Sequence, residues 1–371
     1  MSAVSGPQAA AIDFSAFRDP GLARDLIARI RGAVGNRSIN LMEVCGTHTM
    51  SIGRFGFRSV MPAGLRLLSG PGCPVCVTAN RDIDRAIAIA RIEGVTIATF
   101  GDMMRVPGST SSLAAEKAAG RDVRIVYSPL DALRIAEDEP GRQVVFVSVG
   151  FETTTPAIAA CLLDAAERNL ANFSMLCANK LTPPALRAIA DDPQTRIDGF
   201  ILPGHVSTIT GLAPYRFLVD EFGLPGAVTG FEPVDILASI ELLVRMIIDG
   251  TPDIVNAYRR GVNADGNPTA RALTEQVFET VGATWRGLGE LCASGLRIRE
   301  EYACYDAQRR FDVHVEPTQE PRGCRCGDVL RGRIAPDTCP LFGHACTPEH
   351  PVGPCMVSSE GSCAAYHRYR V

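Results

Sequence analysis

The stretch QVVFVSVGFETTTPAIAACLLDAAER, residues 143–168, carries the clearest fold signal in the chain. An apolar, β-branched run ends at Gly150, hydroxyl residues and Pro156 follow, and small and apolar residues then continue for several turns. Such a run is typical of a strand buried on both faces, and proline suits the first turn of a helix. We therefore predict a strand followed by a helix, the repeating unit of parallel α/β sheets.

The same alternation extends in both directions. Short apolar runs recur between segments of helical periodicity, and the predicted strands are 41–44, 65–68, 95–100, 123–127, 144–149, 173–177, 200–202 and 227–229. GPGCPV (70–75) resembles LPGHVS (202–207), and GFETTTP (150–156) resembles TGFEP (229–233). We therefore expect an α/β fold with two similar parallel-sheet domains, at residues 41–140 and 141–235.

The remaining segments are assigned by periodicity and composition. Residues 1–40 are predicted to be an N-terminal helical segment. Residues 236–316 are predicted to be a helical segment packing on the α/β domains, and the helices predicted from 233 onward are 233–248, 253–261 and 269–281. Residues 317–371 form a region in which Gly, Pro and Cys crowd together, so a metal or covalent staple is expected to hold it.

The bulk composition disfavours several classes of protein. A chain of 371 residues, 46% hydrophobic and 21% charged, is typical of a compact protein of several domains. The net charge is −4 and the basic residues are scattered, so no nucleic-acid partner is expected. The first twenty residues lack a signal-peptide pattern and no apolar run is long enough for a membrane span, which predicts a cytoplasmic protein. The sequence lacks the phosphate-binding glycine motifs of conventional ATPases and dehydrogenases.

Six of the thirteen cysteines lie close together near the end of the chain: Cys324, Cys326, Cys339, Cys346, Cys355 and Cys363. Structural disulfides are rare in a reducing compartment, and four thiolates suit either zinc or an iron–sulfur cluster. The loose spacing, without the C-x₂-C pairs of zinc ribbons, favours a [4Fe–4S] cluster. Two cysteines would then remain for a redox dithiol, while structural zinc or disulfides are the alternatives.

The CPVC motif, Cys73 to Cys76, follows an apolar run and precedes a helix. A thiol near a helix N-terminus is expected to have a lowered pKa. The motif suits reversible disulfide formation and chelation of one metal ion equally well.

Two other turns carry candidate residues. In MEVCGTHTM (42–50), Cys45 follows the first predicted strand, at the edge where open α/β sheets bind ligands, and His48 is a candidate ligand or proton donor. In GFETTTP, Glu152 is a candidate base or hydrogen-bond acceptor near an iron site, although helix capping explains much of this motif. His205, in LPGHVS, is placed at a sheet edge in the same way.

The motifs MEVCGTHT, GPGCPVCVT, GFETTTP, PGHVS and the terminal run from GCRCG to GPCMVSSEGSC occur in this order, and together they resemble the HypD family of [NiFe]-hydrogenase maturation factors. The resemblance implies two α/β domains and a C-terminal [4Fe–4S] domain. It implies a scaffold on which an Fe(CN)₂CO group is assembled. Cys45 would be the main ligand of the Fe(II), Cys73 and Cys76 would be further iron ligands or a redox dithiol, and His48 would assist. A HypC-type small chaperone and a HypE-type cyanide donor are the implied partners.

A cluster-dependent thiol–disulfide oxidoreductase acting on the CPVC pair is the chief alternative. It explains Cys73, Cys76 and the terminal cysteines but gives no task to Cys45 or His48. The first interpretation predicts an assembly scaffold with redox activity rather than an independent enzyme.

Overall fold

The computed structural model describes residues 14–369. Within these residues the chain forms two parallel sheets and one antiparallel hairpin. The strands are β1 (Ile39–Glu43), β2 (Leu65–Ser69), β3 (Val95–Thr99), β4 (Asp122–Ile125), β5 (Gln143–Ser148), β6 (Phe173–Cys177), β7 (Gly199–Pro203), β8 (Gly226–Thr229), β9 (Ile254–Asn256), β10 (Phe278–Trp285) and β11 (Gly289–Ile298).

Helices connect most of the strands and cover the sheets. The α-helices are α1 (Pro20–Val34), α2 (Gly46–Arg54), α3 (Phe57–Val60), α4 (Pro74–Val77), α5 (Asn80–Ala90), α6 (Leu113–Ala118), α7 (Pro129–Asp138), α8 (Thr155–Glu167), α9 (Thr182–Ala190), α10 (Gly204–Thr210), α11 (Phe217–Asp220), α12 (Pro233–Asp249), α13 (Pro268–Val277), α14 (Ala307–Arg310), α15 (Cys326–Leu330) and α16 (Ser362–Tyr369). Short 3-10 helices lie at Phe14–Arg18, Gly101–Arg105, Ala213–Tyr215, Glu300–Tyr305, Pro336–Thr338 and Pro354–Met356. Among the described helices, even the 17-residue α12 lacks the length required to cross a bilayer.

The first sheet has the strand order β2-β1-β7-β8-β9, and all its pairings are parallel. After β1 the chain adds β2 on one side and later adds β7 on the other, so the order reverses beside β1. In open α/β sheets such a reversal creates a crevice at the carboxyl ends of the strands. Cys45 follows β1 at this crevice.

The second sheet has the order β4-β3-β5-β6 and is also parallel. Its strand order reverses between β3 and β5, so the loops after these strands lie at a second crevice. Val144, Val145, Phe146 and Ile97 are completely buried, which explains why these strands are continuous apolar runs rather than alternating ones.

The α/β fold with two parallel sheets and a cysteine-rich C-terminal region is confirmed, and strands β1 to β8 coincide with the eight predicted ones. The predicted division at residue 140 differs from the sheet membership, because β3 and β5 lie on opposite sides of it and pair directly. The first sheet instead combines β1 and β2 with the distant β7, β8 and β9. Apolar runs predict strands, but strand partners are set by packing between distant segments.

In contrast to the prediction, the segment 236–316 is only partly helical, because it also contains strands β9, β10 and β11. The helix expected at 253–261 is replaced by strand β9 and turns, in which the Asn256 side chain donates to the Val262 carbonyl and accepts from the Tyr258 N–H. The helix expected at 269–281 ends at Val277, where the β10–β11 hairpin begins. Burial along β10 largely alternates, as in a strand with one covered face, and this period replaces the helical one.

The predicted N-terminal helical segment contains the 3-10 helix Phe14–Arg18 and α1, ends in β1, and extends outside the described residues at 1–13. At the other end of the chain, α16 packs on α2, and four terminal cysteines share the hydrophobic cluster of the second sheet with Cys73 and Cys76. The C-terminal region is thereby held between the loops of both sheets.

Candidate functional site

A cleft of about 690 Å³ lies where the crevices of the two sheets face each other. Its walls come from the loops after β1, β2, β3, β4, β5 and β7 and from the C-terminal segment. The polar and sulfur-bearing side chains that line it include Cys45, Thr47, Cys73, Asp102, Tyr127, Thr153, Thr154, His205, Ser358, Ser359 and Glu360. Cys45 and Cys73 are therefore brought together in one cleft, as the sequence predicts for a shared sheet edge.

Cys45 is the N-cap residue of α2 and makes no side-chain cap hydrogen bond, although the backbone N–H groups of His48 and Thr47 lie near its thiol. Burial, followed by the carboxylate of Glu360, raises the pKa of Cys45 to about 12, although the two N–H groups lower it. The thiol is therefore protonated at neutral pH.

The loop that carries Cys73 lies directly against Cys45. The Gly46 N–H donates to the Gly72 carbonyl at 3.0 Å. A Cβ atom added to Gly72 would lie 2.2 Å from the Cys45 backbone nitrogen and 2.5 Å from its Cα atom. Only glycine fits between the two cysteine-bearing turns, so Gly72 sets how closely they approach.

Replacing Gly72 by alanine is expected to lower the free energy of unfolding by about 1–3 kcal/mol, the usual cost of overpacking. The added methyl group would push the loop that carries Cys73 away from Cys45. Urea denaturation measures the change. The control is Gly141→Ala, where an added Cβ has no neighbour within 4 Å and stability should not fall. Equal stability of the two variants would contradict the tight contact.

His48 lies behind the cleft rather than in it. It is fully buried, its Nε2 donates to the Gly230 carbonyl at 2.9 Å, and its ring stacks on Phe231. Burial lowers its pKa to about 4, so the ring is neutral at pH 7. Its Nδ1 is buried and has no hydrogen-bond partner within residues 14–369. His205 also stacks on Phe231, at 3.9 Å between ring centroids, and reaches the cleft.

Glu152 does not line the cleft. Its two carboxylate oxygens accept from the Thr182 N–H at 2.7 Å and from the Thr182 hydroxyl at 2.8 Å. These bonds fix the start of α9. In the same motif the exposed residues Thr153 and Thr154 reach the cleft instead, and Thr154 stands at the N-cap position of α8 without a side-chain cap bond.

Burial raises the pKa of Glu152 to about 6 from its ordinary 4.5. The folded state then keeps its proton to higher pH than the unfolded chain, so the contribution of this group to stability is lost as pH rises from about 4.5 to 6. We expect the unfolding free energy of the wild type, minus that of Glu152→Gln, to fall by about 2 kcal/mol between pH 4 and pH 7. Urea denaturation at several pH values measures it, and a flat difference would contradict the raised pKa.

Cys76 points away from the cleft, toward the terminal cysteines. It is completely buried and its thiol contacts Cys73 on one side and Cys355 on the other. The predicted lowering of a thiol pKa is wrong for Cys76. Hydrogen bonding to Cys355 does lower it, but Cys73 and burial outweigh this and raise the pKa of Cys76 well above its usual range. Helix α4 is a single turn, so little macrodipole is available to oppose burial.

All six terminal cysteines surround one small internal space. The Sγ atoms of Cys326 and Cys355 lie 2.7 Å apart, and both residues are free thiols. Within residues 14–369, no three His, Cys, Asp or Glu side chains converge on one point as ligands of a single ion would. A four-iron cluster takes one thiolate on each iron, so its ligands lie further apart than those of one ion.

Glu360 is a residue of the cleft that the motifs did not single out. It lies between Cys355 and Cys363, and its carboxylate accepts from the Thr47 hydroxyl at 2.8 Å. A Cβ atom added to Gly46 would lie 2.5 Å from the Glu360 Cβ, so the C-terminal segment closes over the turn that carries Cys45. The available signal was a single acidic residue between Cys355 and Cys363.

The model of the HypD family, described as the hydrogenase formation hypA family, matches residues 21–370. The chain belongs to the HypD family. The chain is 48% identical over 366 residues to the hydrogenase maturation factor HypD of Rhodobacter capsulatus, covering 96% of this chain and 97% of that one. It is also 42% identical over 332 residues to a putative hydrogenase expression/formation protein of Methanocaldococcus jannaschii, covering 90% and 92%. As a member of the HypD family, it is a hydrogenase maturation factor.

A solved structure, the D-threo-3-hydroxyaspartate dehydratase from Delftia sp. HT23, is 12% identical, with coverage of 86% of this chain and 91% of that one. Its TM-score of 0.17 is too low to support any conclusion about this HypD-family protein.

Proposed function

We propose that this HypD-family protein is the scaffold on which the Fe(CN)₂CO group of [NiFe]-hydrogenase is assembled. The observation that carries the proposal is a continuous series of thiols. Cys45 and Cys73 line the cleft, Cys76 lies behind Cys73, and Cys355 with Cys326 connects Cys76 to the other terminal cysteines. This arrangement supports a cargo site with an electron route beside it.

Iron is the cargo, and Cys45 is proposed as its principal ligand. Thiolate is a soft, negatively charged donor that suits low-spin iron bearing cyanide and carbonyl. Metal binding would displace the proton that burial keeps on Cys45, and the Thr47 and His48 N–H groups, which lower the pKa of this thiol, would stabilise the thiolate. Cys73, across the Gly72 contact, is proposed as a second ligand, and Cys76, which faces the terminal cysteines, is proposed as the redox partner of Cys73.

The close pair Cys326 and Cys355 is proposed as the redox dithiol that the sequence left unassigned. A Cys355 thiolate would attack a Cys73–Cys76 disulfide at Cys76, with Cys73 leaving as a thiolate that takes up a proton. Cys326 would then attack the mixed disulfide, so that a Cys326–Cys355 disulfide forms and Cys76 is released. Two electrons and two protons pass to the CPVC pair, and an external one-electron donor would restore the dithiol in two steps.

The remaining cysteines, Cys324, Cys339, Cys346 and Cys363, are then the proposed ligands of a [4Fe–4S] cluster. They fit the group by donor type, because four thiolates around one internal space are the ligand set that such a cluster needs. Bound there, the cluster would supply single electrons next to Cys326 and Cys355.

Two partners are proposed for the open side of the cleft, a HypC-type small chaperone and a HypE-type cyanide donor. The cleft opens to solvent, and Tyr127 at its rim is 91% exposed. Large exposed aromatic residues are typical of protein-binding sites.

The test is anaerobic purification with the small chaperone, followed by infrared spectroscopy of metal-bound cyanide and carbonyl stretches. Iron, zinc and acid-labile sulfide are measured on the same sample. Cyanide and carbonyl bands with iron beyond four atoms per chain would support the scaffold. Cluster iron without such bands, together with a reducible Cys73–Cys76 disulfide, would favour the cluster-dependent oxidoreductase instead.

A further inference from the structure

Arg286 is a buried arginine held against the CPVC motif. It lies in the turn between β10 and β11 and is only 3% exposed. Its Nε donates to the Thr78 carbonyl at 2.9 Å, and its backbone N–H donates to the Val77 carbonyl at 2.9 Å. Because these residues directly follow Cys76, the guanidinium is fixed to the end of the CPVC helix α4.

The same turn also touches the first pair of terminal cysteines. A Cβ atom added to Gly287 would lie 2.6 Å from the Cα atom of Gly327, the residue after Cys326. Arg331, just beyond α15, donates from its Nε to the Gly287 carbonyl at 2.7 Å. The turn that carries Arg286 is therefore wedged between the two cysteine motifs.

The guanidinium lacks partners for most of its donors. Nη1 and Nη2 are both buried without a hydrogen bond to any atom of the described residues. The carboxylate nearest to Nη1 belongs to Glu320, 3.8 Å away and 60% exposed. Arginine keeps its charge at any physiological pH, so a buried guanidinium with two unused donor groups is strongly unfavourable unless a negative charge faces it.

The turn that carries Arg286 approaches the terminal cysteines through their backbone. Gly327, which Gly287 contacts, directly follows Cys326, and the Cys326 Sγ atom lies 2.7 Å from that of Cys355.

We propose that Arg286 is a positioning residue for electron transfer, with its free Nη groups directed at the anionic sulfur atoms of the terminal metal centre. This inference rests on the proposed function, because it assumes the cluster there. A cluster held by four thiolates carries net negative charge, and reduction adds one more. A fixed positive charge in a medium of low dielectric constant stabilises the reduced state more than the oxidised one, and so raises the reduction potential.

The test is a reductive titration of the full-length protein with dithionite, monitored by electron paramagnetic resonance. We expect Arg286→Gln to make one-electron reduction about tenfold less favourable, which corresponds to a potential about 59 mV more negative. Arg286→Lys keeps the charge but lacks the two parallel donor groups. Its reduction potential should therefore lie between those of the wild type and of Arg286→Gln. The control is Arg325→Gln, an exposed arginine between Cys324 and Cys326 that pairs with Asp328, where solvent screening should leave the potential nearly unchanged.

Iron and sulfide analysis separates the two levels of the proposal. Wild-type protein without cluster iron would overturn the proposed function itself. Cluster-containing Arg286 variants with the wild-type potential would overturn only the role of Arg286. If the glutamine variant does not load iron, the lysine variant decides in the same way, because its potential must still become more negative than that of wild type.

Discussion

Replacing Cys45 by alanine is expected to remove the cyanide and carbonyl infrared bands and to lower cargo iron at least tenfold, while the cluster iron stays in place. Cys45 is the thiol that α2 presents to the cleft, whereas the terminal cysteines lie on the far side of Cys76. Losing one thiolate therefore removes the principal ligand of the cargo without touching the proposed cluster ligands. Iron and sulfide analysis together with infrared spectroscopy of the complex with the small chaperone measures both quantities.

The matched control is Cys161→Ala. Cys161 is also buried, but it lies in α8 within the apolar core of the second sheet, away from the other thiols of the site. This variant loses the same sulfur atom and should keep its cargo iron. Normal cyanide and carbonyl bands in the Cys45→Ala variant would exclude Cys45 as the principal ligand. Disulfide reduction should stay normal in this variant under both the scaffold and the oxidoreductase interpretations.

Serine substitutions at Cys339 and Cys355 are expected to have opposite effects on cluster iron. Cys339→Ser removes a proposed ligand, so acid-labile sulfide and the four cluster irons should be lost. Cys355→Ser removes one half of the dithiol, so cluster iron should remain while a Cys73–Cys76 disulfide can no longer be reduced by a one-electron donor. Thiol alkylation followed by mass spectrometry measures the state of the CPVC pair.

The two variants control each other because each exchanges one sulfur for oxygen in the same segment. Complete loss of iron from Cys355→Ser would contradict the assignment of Cys326 and Cys355 as the dithiol. Full retention of iron by Cys339→Ser would contradict the proposed ligand set.

The strands of both sheets could be predicted because their burial makes them continuous apolar runs. Strand β9 was not predicted because it has only three residues, Ile254–Asn256. The β10–β11 hairpin was not predicted because its alternating pattern of burial begins directly where helix α13 ends. Sheet order could not be inferred in the same way. The pairing of β1 with β7 depends on contacts between segments that share no local pattern.

The candidate site was predictable where chemistry is tied to residue type. Cysteine spacing and the edge of a parallel sheet placed Cys45 and Cys73 together. The direction of a side chain within a turn is not encoded by spacing, and the structure accordingly places His48 and Glu152 behind the cleft walls. Glu360 and Arg286 are brought to the site by packing of the C-terminal segment and of the hairpin turn. No sequence motif indicates these contacts.

The interleaved strand order also constrains how the chain is made. The Asn40 N–H donates to the Asp198 carboxylate, 158 residues further on. On a ribosome moving at about 5–20 residues per second, β1 therefore waits roughly 10–30 s for its inner neighbour, while all of β3 to β6 has already emerged. During that interval its open edge is available for pairing with foreign strands. The cysteine-rich segment leaves the ribosome only after the loops that receive it have been synthesised.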